Sequence, residues 1–378
     1  MKLAIFTLVQ HSLKANRYYG YAPYVREMNL WTKYVDDVTV VGIHKPNNTV
    51  DAIDCAYTAP SLDFVAVPNF SLLGVKQILR TLVVLPIVFF KCIQAMRKAD
   101  HIHLRCPSNV GLVACFAQMF FPFKQKSTKY AGNWDPNSNQ PWTYRLQQAI
   151  VRNTFLTRNM KVLVYGDWSG ETSNIYPFIS ATYRDAERVP FQPKDYTQEL
   201  VFVFAGMLVP GKRPVLTVQF IEQLNTRGIP ARLELFGDGP LRPELEDYIA
   251  KHDLGSCITM HGNQDKTVVK AALLSSHFNI LLSKSEGWPK AVAEGMFYGC
   301  IPVTTAVSCV AWMVGEGQRG IIVLPDLEQA VNHFTQVFKT GNLNTMAEHA
   351  LDWSQQYTYD RMEADIKRVL AGTFVSKV

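Results

Sequence analysis

Two doubly wound α/β domains in tandem are the fold class this sequence predicts, and three observations predict it. Short apolar, β-rich runs alternate with segments of helical length through most of the 378 residues, the pattern of parallel sheets covered by helices on both faces. A chain this long suits two domains at roughly 100–200 residues each. Between them, Glu187 to Gln198 is polar and carries Pro190 and Pro193, as a linker does. The expected domains are 1–190 and 196–355, with a terminal helical segment in 356–378 that can pack back on the first.

Taken in order, the first half offers strands at Leu3–Val9, Val38–Ile43, Phe64–Val67, Ile102–Leu104, Thr128–Ala131 and Val162–Tyr165. The second half is more regular. The run Val201–Ala205 leads through a loop to a helix at Pro214–Asn225, with Pro at a tolerated first-turn position. Arg232–Phe236, the turn Gly237-Asp238-Gly239-Pro240 and a helix near Leu241–Lys251 follow. Ser256–Met260 precedes a helix near Lys266–Ser275, and Phe278–Leu282 precedes one near Lys290–Tyr298. Ile301–Thr305 closes the series, and a last helix is expected at Tyr359–Leu370. Sheets of this kind bind ligands at the carboxyl ends of their strands.

Composition removes several function classes. Hydrophobic residues at 48% and charged residues at 19% exclude wholesale disorder. No apolar run reaches the ~18 residues of a membrane span. Leu82–Phe90 lies between Arg80 and Lys91 and contains Pro86. Leu3–Val9 is followed by Gln10, His11 and Lys14 without a small-residue cleavage site, so it reads as a buried strand rather than a leader. Seven cysteines without CxxC spacing argue against a disulfide framework and for a cytoplasmic chain. His101 and His103 share a strand face, but no third ligand lies nearby, so no metal site is expected.

Charge is uneven. Residues 1–195 hold 22 Lys/Arg and 13 Asp/Glu, and residues 196–378 hold 16 and 19. The basic half suits an anionic partner: a phosphate-bearing substrate or a membrane surface, and not nucleic acid, since no concentrated basic stripe occurs. Leu82–Phe90 and Leu112–Phe123, with basic flanks Arg80, Lys91, Lys124 and Lys126, have the composition to touch lipid. Two buried helices is the preferred reading of them.

The sharpest chemistry lies in Ser285-Glu286-Gly287-Trp288-Pro289-Lys290-Ala291-Val292-Ala293-Glu294. Glu286 follows a buried strand, and Glu294 sits inside the next helix among apolar neighbours. A helix start near Pro289 or Lys290 offers free N–H groups and a partial positive charge to a phosphate. One carboxylate is placed to meet a sugar, the other to accept from ribose hydroxyls. A second constellation, Gly206 to Pro214, repeats the strand end, glycine-bearing loop and helix start, and adds Lys212 and Arg213. Both cations suit a diphosphate, Lys as a point charge and Arg as a fork. Gly237 in the Gly-Asp-Gly-Pro turn allows either a tight turn or close approach of backbone to a ligand. No dinucleotide fingerprint or P-loop is present.

Together these features resemble the donor-binding domain of retaining glycosyltransferases of family 4, the group 1 transferases of GT-B fold, whose marker is two Glu separated by seven residues. The resemblance covers residues 200–325 and implies a GT-B-like pair of Rossmann-like domains facing a cleft. It also implies roles. Lys212 matches the diphosphate-binding Lys, Glu294 the Glu that holds the donor ribose, and Glu286 the Glu beside the donor sugar. Gly287, Trp288 and Lys290 match the loop around sugar and phosphate. No bound metal or other cofactor is implied; the donor is a nucleotide diphosphate sugar. Two positions depart from the pattern: Met207 stands where the family has Arg, and Pro289, which lacks an N–H, stands where it has a second Gly. Arg213 or Lys290 is expected to compensate. In the first half, Asn16–Pro23 looks like the family's acceptor-side glycine loop, and Asp135 is the candidate to orient an acceptor hydroxyl, against the simpler reading of an Asp-Pro turn.

The implied activity is transfer of a sugar, with retention, from a UDP- or GDP-sugar to a glycan or polyprenyl-diphosphate-linked acceptor in cell-surface polysaccharide biosynthesis, at the inner face of an anionic membrane. The alternatives are a sugar-nucleotide epimerase of the same fold and a non-catalytic sugar-nucleotide binding protein, the latter suggested by Met207.

Overall fold

A computed structural model of the chain describes residues 1–70 and 75–375, the side chains of 75–80 and 82 excepted. Arg80 and Leu82, named above beside the lipid-facing candidates, therefore lie outside the described side chains. The chain divides into two compact units, 1–178 with 362–378, and 179–361.

The first unit runs β1 (Lys2–Lys14), β2 (Arg17–Tyr21), α1 (Ala22–Thr32), β3 (Asp37–His44), β4 (Asp54–Ala56), β5 (Leu62–Ala66), α2 (Val75–Lys98), β6 (His101–Cys106), α3 (Asn109–Ala117), β7 (Gln125–Tyr130), α4 (Trp142–Arg152), β8 (Met160–Tyr165) and β9 (Ile175–Phe178). Its parallel strands stand in the order β5-β3-β1-β6-β7-β8-β9. The first half of β1, through Phe6, pairs with β3 and β6. After an irregularity between Phe6 and Gln10, its second half pairs with β3 again at Gln10 and His11 and antiparallel with β2 on its other side, Lys14 opposite Arg17. The two connecting residues, Ala15 and Asn16, both have positive φ, as a type I′ hairpin requires. Asn16–Pro23 is thus a hairpin strand running into α1, not the glycine loop the sequence suggested.

In α2 one face is core and the other is not. Val88 and Cys92 are fully buried, whereas Val83, Ile87 and Phe90 are exposed. The preferred expectation of two buried helices holds for only one side of this helix. No helix among the described residues is long and apolar enough to cross a membrane.

The second unit runs β10 (Leu200–Ala205), α5 (Pro214–Thr226), β11 (Ala231–Phe236), α6 (Arg242–Lys251), β12 (Ile258–Gly262), α7 (Lys266–Ser275), β13 (Phe278–Leu281), α8 (Lys290–Phe297), β14 (Ile301–Thr304), α9 (Val310–Met313), β15 (Ile321–Ile322), α10 (Leu327–Thr340) and α11 (Leu343–Ser354); α12 (Tyr359–Leu370) passes from this unit into the first. Its sheet is parallel throughout, in the order β12-β11-β10-β13-β14-β15. That is the doubly wound order, third-second-first-fourth-fifth-sixth, and its direction reverses between β10 and β13. Both faces are covered, so β10 reads as an almost continuous apolar run. Phe202 stacks on Phe278 at 4.8 Å beneath Phe220 of α5 and Phe334 of α10. Val203, on the opposite face, packs in a cluster with Leu273, Phe297 and Tyr298.

The division between the units falls at Phe178/Ile179, before the proline-bearing stretch 187–198 that the sequence suggested. Tyr183 accounts for this. Its ring packs on Phe297 at 4.9 Å and on Tyr298 at 4.8 Å, tying the segment before the prolines to the second unit.

Candidate active site

The reversal point of the second sheet brings two loops together. The loop after β10 contains Gly206, Met207 and a short turn of helix at Pro210–Lys212. The loop after β13 contains Ser283 to Pro289. Backbone joins them, Lys284 N donating to Gly211 O at 2.8 Å. Side chains complete the junction: the Lys212 ammonium donates to a carboxylate oxygen of Glu286. Glu286 is only 9% exposed at its side chain and Lys212 28%. An ion pair that is half shielded from water, at the carboxyl ends of the two central strands, is the centre of the site.

Arg213 is used differently from the sequence expectation of a diphosphate contact. It has φ of 50°, in the left-handed region, just before α5. From there its guanidinium donates to the carbonyls of Leu282 and Ser283, each at 3.0 Å. These carbonyls lie just past β13, so Arg213 fixes the start of the loop that carries Glu286.

Gly206 and Gly237 meet each other. Gly206 N donates to Phe236 O at 2.9 Å, and Leu208 N to Asp238 O at 3.0 Å. Gly237 has φ of 127°, and a Cβ there would lie 1.9 Å from Gly206 O. The Gly-Asp-Gly turn therefore lies directly on the β10 loop, and Gly237 is required by this loop-on-loop packing. Met207, in the place of the family's Arg, is 64% exposed on this loop.

The Glu286 loop is anchored at its far end. Gly287 O accepts from Ser308 Oγ at 3.3 Å and from Cys309 Sγ at 3.2 Å. Trp288, expected along the loop around the sugar, is buried and stacks on Trp353 at 6.3 Å, with Trp312 and Tyr357 edge-on. It is the peg of an aromatic cluster that holds the loop, and nothing in the sequence linked these four residues. Pro289 caps α8 and Lys290 begins it.

Glu294 lies on α8 one turn beyond Lys290. Gly295 beside it packs so closely on β13 that a Cβ would lie 2.5 Å from that of Asn279. The Glu294 carboxylate accepts from Thr182 Oγ1 at 2.7 Å. Burial raises its pKa above the ordinary carboxylate range, against the pull of that hydrogen bond and of Lys290 and Lys266. Lys266 is held over the Tyr183 ring at 4.3 Å and donates to Glu187 at 3.0 Å. Sequence reasoning missed Thr182, which lies ahead of the expected linker and 112 residues from its partner.

In the first unit Asp135 Oδ1 accepts from Asn137 N at 2.8 Å, which gives this carboxylate a turn-forming role. Trp134 beside it donates to Glu171 at 2.9 Å. His101 and His103 are buried and both meet Ser127 Oγ at 2.8 Å. No group of three or more His, Cys, Asp or Glu side chains placed to hold a metal occurs among the described residues.

Comparison with known proteins fits this geometry. Residues 185–353 match the family model of the group 1 glycosyl transferases. An uncharacterized glycosyltransferase of Methanocaldococcus jannaschii is 22% identical over 172 residues, 44% of this chain and 46% of that protein. The match thus spans under half the length of this curated relative. The likeness in fold is wider. HepE of Anabaena, in its crystal structure with UDP, superposes with a TM-score of 0.68 at 14% identity, over 98% of this chain and 100% of that one. WaaG, a glycosyltransferase involved in lipopolysaccharide biosynthesis, does so at 0.61 and 12% over 98% and 100%. The fold is GT-B, with two Rossmann-like sheets, and residues 185–353 are similar to the group 1 glycosyl transferases.

Proposed function

We propose that this protein is a retaining glycosyltransferase of family 4. In this reading it moves a sugar from a UDP- or GDP-sugar to a glycan or polyprenyl-diphosphate-linked acceptor, in cell-surface polysaccharide biosynthesis at the cytoplasmic face of a membrane. The observation that carries the reading is the Lys212–Glu286 pair at the sheet's reversal point, with Glu294 on the helix that follows. An ammonium shared between Glu286 and a diphosphate places the scissile sugar–oxygen bond beside the carboxylate. UDP and UDP-glucose in the crystal structures of HepE support a uridine donor, and the role of WaaG supports a cell-surface product.

The residues then divide the work. Lys212 and the start of α8 with Lys290 stabilise the departing diphosphate. Glu294 accepts from the ribose hydroxyls, and Glu286 holds a hydroxyl of the sugar as it becomes oxocarbenium-like. The bond from the anomeric carbon to the diphosphate breaks as the acceptor oxygen bonds on the same face, and the acceptor proton passes to the leaving phosphate oxygen. Asp135 is the acceptor-side carboxylate. The chemistry is positioning and electrostatics, with cations supplied by side chains.

Slow hydrolysis of donor by the full-length protein tests this. With UDP-glucose or GDP-mannose, proton NMR of the first free sugar should show the α-anomer, and Glu286→Gln should slow its release by roughly 10²-fold or more. The β-anomer as first product overturns retention, and unchanged release in Glu286→Gln overturns the role of Glu286.

A further inference from the structure

One face of the first unit has no part in this chemistry. The layer α2, α3 and α4 supplies core through Val88, Cys92, Val110 and Ile150. Its other side holds a groove of about 590 Å³, walled by Leu85, Phe89, Phe116, Trp142 and Leu146, with Asn109 as its polar residue. A groove of this size and lining is in the range that takes up an apolar ligand. Large apolar side chains also project into solvent on these elements. Val83, Ile87 and Phe90 lie at helical spacing along α2; Phe116, Phe120 and Phe123 follow on and after α3, the last 89% exposed. Proteins that stay alone in water rarely show contiguous apolar patches above a few hundred Å².

Charge indicates the partner. Residues 64–166, which contain all these elements, hold 13 Lys/Arg against two acidic residues, Asp100 and Asp135; four of these cations, Arg105 and Lys129 paired with Glu27, Arg152 paired with Glu171, and buried Lys126, are not free surface charges. Arg97 and Lys98 at the end of α2, Arg145 on α4 and Arg158 after it are exposed. A second copy of the chain would bring the same positive face against itself. A surface that is apolar and anionic at once meets both requirements: phosphate groups for the cations, hydrocarbon for the rings.

We infer that the α2–α3–α4 face docks on an anionic phospholipid bilayer and that its groove takes up a hydrocarbon chain from the leaflet. This rests on the membrane part of the reading above and is independent of the donor chemistry. Asn109 Nδ2 donates to Phe70 O at 2.9 Å at one end of the groove. Both residues lie just past strand ends, β6 and β5, so the groove reaches the carboxyl edge of its sheet, where an open α/β sheet meets its ligand.

Flotation of the full-length protein tests the inference, with vesicles of phosphatidylcholine and of equal parts phosphatidylcholine and phosphatidylglycerol. The protein should float with the mixed vesicles alone, and salt should release it. Ile87→Glu with Phe90→Glu should lower the bound fraction about tenfold or more. Arg97→Gln and Lys98→Gln should each weaken binding about fivefold; as changes to exposed cations they keep the test open if the glutamate variant fails to fold. All of these variants should keep the UDP-induced thermal shift of the parent, which separates failure of this inference from failure of the donor site. No flotation, or equal flotation with neutral vesicles, overturns it. So does a dimer in light scattering that Phe90→Glu converts to monomer, since the face then belongs to a second copy.

Discussion

Replacing Lys212 by Met tests the ion pair through stability and donor binding together. Exposed pairs contribute about 0.2–1 kcal/mol, and buried pairs broken on one side cost about 3–5 kcal/mol. With Glu286 9% and Lys212 28% exposed, the pair falls between these limits. Lys212→Met should cost about 1–2 kcal/mol, because it leaves the more shielded member alone. Glu286→Gln should cost less, because water reaches the ammonium more readily than the carboxylate. The double variant should recover about 1 kcal/mol of the summed losses. Thermal unfolding of the four proteins reads these differences at about 2–4 °C per kcal/mol. UDP titration of the same four reads the second role. Losing a charge-assisted bond of about 1.5–3 kcal/mol should weaken UDP by roughly 10–150-fold in Lys212→Met. Additive stabilities together with an unchanged UDP affinity would refute the reasoning.

Three further outcomes follow from the same geometry. Glu294→Gln should weaken UDP about tenfold or more yet melt no lower than the parent at neutral pH. The raised pKa of Glu294 means the folded state binds its proton more tightly than the unfolded state, so ionisation costs stability as pH rises through that raised value. Melting curves from mildly acid to neutral pH should therefore flatten in the variant, and a parent that gains stability over that range from this residue contradicts the assignment. Arg213→Ala removes hydrogen bonds to two carbonyls and should destabilise by roughly 2–3 kcal/mol, while UDP affinity in the folded protein changes under threefold by titration. Gly237→Ala forces a Cβ onto Gly206 O and should cost about 3 kcal/mol or more in denaturant unfolding.

Much of this fold was legible because the second sheet and most strands of the first are parallel and buried. Near-continuous apolar runs mark the strands, and helices α7 and α12 begin and end as their periodicity predicts. The β1–β2 hairpin was not legible. Its type I′ turn is Ala15-Asn16 rather than Asn-Gly, so it lacks the usual signal. In the site, strand-end position raised Lys212, Arg213 and Glu286 alike as candidates, and the family resemblance was needed to give Lys212 and Glu286 their roles. Contacts made across long sequence separations were not visible: Thr182 with Glu294, or Trp288 with Trp353. Arg213 was misdirected by its cationic type, since its left-handed backbone turns the guanidinium onto the carbonyls just past β13 rather than outward.

The central claim is that the reversal point of the second sheet is a nucleoside diphosphate site built on Lys212, Glu286 and Glu294. A thermal-shift panel with UDP, GDP, ADP, CMP and NAD tests it most directly. A ligand at about 100 times its Kd stabilises the folded protein by about 2.7 kcal/mol. The account predicts that UDP or GDP raises the midpoint by several degrees and that Glu294→Ala abolishes the rise. A shift with NAD alone, or the same shift in Glu294→Ala, would contradict it.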